Sequence, residues 1–357
     1  MQEICTGTPR QLPLCKKTTA VKERADIFCP QLRRGEKRYI LGGLFQTDDS
    51  TMFYLGELAA LSTALFWSFT AVFFTEAGKL IGSFQVNKIR LLFAVLIYAT
   101  ILTITTGRPY PTDINSQQFF WLGLSGFVGL VFGDGCGFKA LVMIGPRLAT
   151  LIMASTPIMT TLIAWFFLGE RLKLLDLAGI AVTITGIVWV VSERSFYDHK
   201  LEKDHPDAGT LTLGILLALG AALGQAAGLV LSKQGMLYAG STVPPLEASF
   251  VRMLAAAPII WALSLIRGKW KETASAVKNR RAMLFSFMGA TFWPFLGVWM
   301  SLVAVSKIEA GIAATISATT PVLIIPTVLL YYKEKVSLRA ILGAVVAVIG
   351  VAMLFLS

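Results

Sequence analysis

Two stretches of this chain carry the same pattern 164 residues apart. Residues 146–191, PRLATLIMASTPIMTTLIAWFFLGERLKLLDLAGIAVTITGIVWVV, hold an apolar span containing a proline, a short charged turn, and a second span with two glycines. Residues 310–355, AGIAATISATTPVLIIPTVLLYYKEKVSLRAILGAVVAVIGVAMLF, repeat that order without a gap. Thr156-Pro157 falls on Thr320-Pro321, Glu170 on Glu334, Gly179 on Gly343 and Gly186 on Gly350. Whatever surrounds the first copy must therefore also surround the second.

That surrounding is lipid. Of 357 residues, 55% are hydrophobic and 15% charged, and mean hydropathy is +0.67. Soluble domains carry about 25% charge. Apolar runs of about 20 residues match the roughly 30 Å hydrocarbon core of a bilayer, and they are too long for the alternating strands of a membrane barrel. The fold class is an all-α integral membrane protein. The net charge of +11 would point to nucleic acid in a soluble chain. Here Lys and Arg lie between apolar runs, with no basic face interleaved with aromatics, so a nucleic-acid partner is set aside. Cys5, Cys15, Cys29 and Cys136 form no CxxC pair, and His199 and His205 share one charged loop. That composition supports neither a metal site nor a cofactor.

Ten spans are expected: 55–75, 84–104, 119–138, 146–168, 174–192, 210–231, 247–266, 282–304, 309–331 and 338–356. Residues 1–50 form a polar tail expected to be disordered, and Met52, directly before the first span, is a second candidate start. The charged linker 193–209 separates a first repeat, 51–192, from a second, 210–357. IRLLFA at 89–94 matches VRMLAA at 251–256, setting Arg90 against Arg252. Five spans per half is an odd number, so the halves enter the membrane from opposite sides. Two inverted five-helix repeats with a midplane site are typical of secondary transporters. Loops opposite the N-terminus hold more Lys and Arg, which leans towards an external N-terminus; counting the tail almost removes the excess.

With the repeat, the Thr-Pro pairs, the Glu-Arg turn and the glycine pairs in view, the chain resembles EamA-type members of the drug/metabolite transporter superfamily. The resemblance covers residues 55–356 and is carried by ASTPIMTTLIAWFFLGERLKLLDLAGIAVTITG and SATTPVLIIPTVLLYYKEKVSLRAILGAVVAVIG. The second copy departs in Lys335, which replaces the Arg171 of the first, and in an additional Pro326. The resemblance implies ten helices, alternating access and export of small metabolites or amino acids. The expected location is the bacterial inner membrane, as a monomer or homodimer. It also implies cytoplasmic termini, against the charge count.

Asp134 is the most informative single residue, in GLVFGDGCGFKA within the third span. A carboxylate at membrane depth is costly and points to function with a named partner. Lys139 is the nearest candidate. The readings are a proton or cation site, a contact to an amine substrate, or a paired structural carboxylate. Position 298 in the other repeat is Val298, so Asp134 breaks the internal symmetry. Gln225, the sole amide of the sixth span, either lines a cavity or bridges two helices. Trp67, Trp293 and Trp299 offer aromatic walls for an apolar or cationic substrate, or else pack helices. Pro157 and Pro321 release the carbonyls of Met153 and Ser317. A kink bordering the substrate cavity and a packing kink are both open there. Thr156 and Thr320 donate either to substrate or to their own backbone. The glycine pairs are read as helix packing, Glu170 and Glu334 as turn chemistry balanced by their basic neighbours, and Arg90 and Arg252 as snorkelling to headgroups in preference to clamping a substrate carboxylate.

An intramembrane enzyme is the competing class. Gly123-Leu124-Ser125-Gly126 spells GxSG, but a serine nucleophile needs a histidine base in a neighbouring span, and both histidines lie outside the spans. Gly133-Asp134 lacks the first glycine of GxGD, with Val131 in its place, and the other candidate aspartate, Asp176, sits at a span's edge. No GxxxxGK[ST] occurs, so an ion or substrate gradient is the expected driving force.

Overall fold

The computed structural model describes residues 54–192, 208–268, 270–320, 322–323 and 337–356, all within the unit Gln46–Ser357. The expected tail, most of the linker, Pro321, Pro326 and the turn around Glu334 lie outside the described residues. The described chain is helical and has no strand, and seven of its helices are long and apolar enough to cross a membrane. In order, α1 runs Leu55–Ile81, α2 Ser83–Thr106, α3 Ser116–Gly126 and α4 Asp134–Met153. A π-helical segment, Phe127–Gly133, joins α3 to α4. α5 (Thr156–Leu168) and α6 (Leu174–Ser192) complete the first half. The second half holds α7 (Ala208–Met236), α8 (Pro245–Ile266), a short α9 (Trp270–Lys278) and α10 (Arg280–Ala290). A second π segment (Thr291–Leu296), α11 (Gly297–Lys307), α12 (Ala310–Ser317) and α13 (Leu338–Phe355) follow.

Outward faces stay apolar. Leu162, Trp165 and Phe166 on α5 are 59, 60 and 81% exposed. Water would charge roughly 25 cal/mol for each Å² of such surface, whereas lipid solvates it.

The repeated glycines explain how the halves meet. Gly179 on α6 faces Leu354 and Gly350 on α13, and Gly186 faces Ala347 and Gly343. A Cβ on Gly186 would fall 2.3 Å from the Ala347 amide nitrogen, and one on Gly350 2.4 Å from that of Thr183. No side chain fits there, so the backbones touch. As the position on α6 rises its partner on α13 falls, so the two equivalent helices run antiparallel. The π segments obey the same repeat: they begin at Phe127 and Thr291, again 164 residues apart.

Two expectations change. Helical hydrogen bonding continues past residue 138 to Met153, but α4 bends back on itself. Met153 Cε lies 3.6 Å from the Cβ position of Gly137. The membrane-length stretches are Ser116–Ala140 and Leu151–Leu168. Pro157 does not kink a continuous span. The chain turns at Ala154 and Ser155, and Pro157 sits in the first turn of α5, where its missing N–H costs nothing. The Met153 carbonyl accepts the Thr156 hydroxyl at 2.6 Å. In the second copy Thr320 donates to the Ser317 carbonyl at 3.0 Å. Thr320 also lies 3.4 Å from the Ala64 carbonyl on α1, so the described contacts of both threonines are to backbone carbonyls.

Candidate functional site

The path from α3 through the first π segment into α4 lies antiparallel along α7, and again small residues set the distance. A Cβ on Gly224 would come within 2.7 Å of the Gly133 Cα, and one on Gly228 within 2.9 Å of the Gly129 Cα. Ser232 donates to Ser125 at 3.1 Å, one turn further along. This contact holds the π segment flush against α7. It fixes the direction in which the first residue of α4 projects.

That residue is Asp134, 8% exposed. Its Oδ2 pairs with Nη2 of Arg90 on α2, and its Oδ1 accepts from Nε2 of Gln225 on α7. Gln225 also lies 3.4 Å from the Gly129 carbonyl, so it bridges two helices. Arg90 is 2% exposed. Its Nε donates to Asn87 Oδ1 at 2.7 Å, and its guanidinium carbon stands 5.5 Å from the Phe74 ring centre and 5.3 Å from that of Phe138. These contacts overturn two expectations. Lys139 is exposed and has no ion pair to Asp134 among the described residues, and Arg90 does not snorkel. Arg90 is instead held inside the protein by a buried carboxylate and two aromatic faces.

Arg252, at the place in α8 that matches Arg90 in α2, is 4% exposed and does not snorkel either. Its Nη2 lies 3.3 Å from the Cβ position of Gly129. Its Nε is buried without a hydrogen-bond partner among the described residues.

The second π segment carries the aromatic residues. Trp293 adopts φ −123°, ψ 153°, the extended backbone favoured before a proline, here Pro294. Such a break leaves carbonyls that must find donors within the protein. Tyr98 on α2 supplies one, its hydroxyl lying 3.1 Å from the Pro294 carbonyl and 2.9 Å from that of Phe295. Trp67 meets Trp293 edge-on at 5.0 Å, and Trp299 stacks on Phe295 at 6.0 Å. All four join one cluster with Tyr98, Leu130 and Val131, which places the aromatic wall beside the first π segment. The indole nitrogens of Trp67 and Trp293 are buried without partners among the described residues.

Other candidates lie elsewhere. Ser125 is fully buried, donating to the Leu122 carbonyl at 2.8 Å and accepting from Ser232, which are helix-packing contacts. Glu170 pairs with Lys233 of the other half at 2.7 Å. Its Oε2 accepts the Ala310 N–H at 2.8 Å, capping α12 from the other half, while Lys233 donates to the Ile308 carbonyl at 2.6 Å. A cavity of about 500 Å³ opens over this junction between the ends of α5, α7 and α11; Asp134 does not line it.

The sequence reading pairs Arg90 with Arg252 but sends both to the headgroups, and Tyr98 escapes it. So does Lys88 on α2. It is fully buried, donates to Ser264 at 2.9 Å, and stands 4.9 Å from the Trp261 ring centre. One signal was present: an arginine at matching places in both halves, beside a single buried aspartate.

A duplicated helical membrane bundle with buried charge at its centre is the build of a membrane carrier. Residues 54–192 and 212–356 both match the EamA-like transporter family, and the chain belongs to it. It is 28% identical over 247 residues to the "Probable amino-acid metabolite efflux pump" of Escherichia coli, spanning 68% of this chain and 73% of that one. It is 23% identical over 207 residues to the uncharacterized transporter YvbV of Bacillus subtilis, spanning 58% and 62%. A crystal structure with 18% identity shares the fold at a TM-score of 0.62, covering 84% of this chain and 95% of its own. The chain is a multi-pass membrane transporter with bacterial relatives.

Proposed function

We propose that this chain is a secondary active carrier with ten spans in two inverted halves, which exports small amphipathic metabolites by alternating access. Amino acids and drug-like compounds are the substrate class, and the site lies between α2, α4, α7 and α8 around Asp134. The observation that carries the reading is Asp134 itself, buried, ion-paired and bridged to α7 by Gln225. A buried ion pair adds little stability over apolar residues of the same size, whereas a carrier needs charge that can change partner. Trp67, Trp293 and Trp299 supply apolar surface for the rest of the molecule. The printed name of the Escherichia coli relative supports the substrate class. A proton or another cation at Asp134, or the substrate's own gradient, provides the driving force, and no step is catalytic.

The test is efflux. Cells overexpressing the protein are screened for metabolites released into the medium, and the compounds found are followed in proteoliposomes. Asp134→Asn is expected to abolish or uncouple transport while remaining inserted. Normal efflux by that variant sinks the assignment.

A further inference from the structure

We propose that Arg252 recognises a carboxylate on the carried molecule, an inference that rests on the carrier reading above and narrows its substrate class. Arg90 and Arg252 occupy matching places in the two halves, and both are almost wholly buried. Arg90 is neutralised by Asp134. The residue 164 positions on from Asp134 is Val298, 2% exposed, which offers no charge. Among the described residues no carboxylate is paired with Arg252, and its Nε lacks a hydrogen-bond partner. Asp134 acts on Arg252 only at longer range, being in contact with Arg90, and a guanidinium withdrawn from water with no anion in contact is disfavoured. Its planar fork fits a carboxylate through two parallel hydrogen bonds.

The surroundings specify the rest of the ligand. Gly129 presents no side chain to Arg252; a Cβ there would sit 3.3 Å from Nη2. Two guanidinium groups against one carboxylate leave one guanidinium to take one further carboxylate, and a dianionic phosphate would overshoot its charge. The Trp67–Trp293 pair, with Phe295 and Trp299, takes an apolar or aromatic body. The substrate class is therefore monocarboxylates with an apolar body, zwitterions included.

Proteoliposomes containing the full chain are loaded with L-phenylalanine, 3-phenylpropanoate or L-phenylalaninamide, and efflux of each is followed. The two acids are expected to leave at least about tenfold faster than the amide, because a site built for a polar group rejects the analogue lacking it. Arg252→Gln removes that preference, and Arg252→Lys keeps part of it. Val298→Asp supplies the missing carboxylate internally and slows the acids at least about tenfold, without a lower thermal midpoint. This variant and Arg252→Lys decide the matter if Arg252→Gln does not fold. Equal efflux of acid and amide by the native protein overturns the Arg252 assignment while leaving the carrier reading intact. Unchanged acid preference in Arg252→Gln or unslowed acid efflux in Val298→Asp does the same. Efflux of none of the three overturns both.

Discussion

Arg90 and Asp134 form an ion pair between α2 and α4 with side chains only 2 and 7% exposed. Removing one member of a buried pair leaves the other uncompensated, at a cost of about 3–5 kcal/mol. Arg90→Gln is expected to lower the thermal midpoint in detergent. Adding Asp134→Asn to it should recover part of the loss. Additive losses from the two changes would show that the pair does not couple.

The α6–α13 contact makes a sharp prediction about glycines. Gly186→Ala places a methyl where the Ala347 backbone stands, and overpacking of this kind costs about 1–3 kcal/mol. Gly135 has open space around its Cβ position, so Gly135→Ala should be neutral or stabilising by up to about 1 kcal/mol. Thermal unfolding of the two variants side by side measures the difference.

Glu170 joins the halves by capping α12 and pairing with Lys233. Glu170→Ala should raise amide hydrogen exchange at the start of α12, with a stability loss of about 1–2 kcal/mol from the lost cap. Exchange unchanged around Ala310 would mean the cap is incidental.

Ser125→Ala tests the hydrolase alternative. The change removes one buried hydroxyl bond to Ser232 and should cost about 1 kcal/mol with efflux intact. A hydrolytic activity present in the native protein and lost in this variant would restore the enzyme reading.

Thr156→Val removes the hydroxyl bond to Met153 and should lower stability without changing which substrates leave. A shifted substrate preference would place Thr156 at the site.

What the sequence made legible was whatever its local pattern encodes. Gly179 and Gly186 announce a close helix contact because seven residues return to nearly the same helical face. Asp134 is visible because a carboxylate within an apolar run has few reasons to be there. Its partner is not visible in the same way. Arg90 lies 44 residues away on another helix, and near the end of a span an arginine that snorkels and one that turns inward look alike. Pro157 misleads for a related reason: a proline inside a long apolar run and a proline opening a new helix differ only in the turn at Ser155, which no local residue choice announces. The aromatic residues were recognisable as a set, but Tyr98, which donates to the backbone opened by Pro294, follows only from tertiary contact.

A π turn holds one residue more than the α turn it replaces. Were the Phe127–Gly133 segment to shed that residue, everything beyond it would rotate by roughly 100°, the step of one residue in a 3.6-residue turn. Asp134, the residue immediately after it, would swing off both Arg90 and Gln225. The matching segment at Thr291–Leu296 is broken at Trp293 before Pro294, so a detent of this kind would belong to the first half, beside the charged pair.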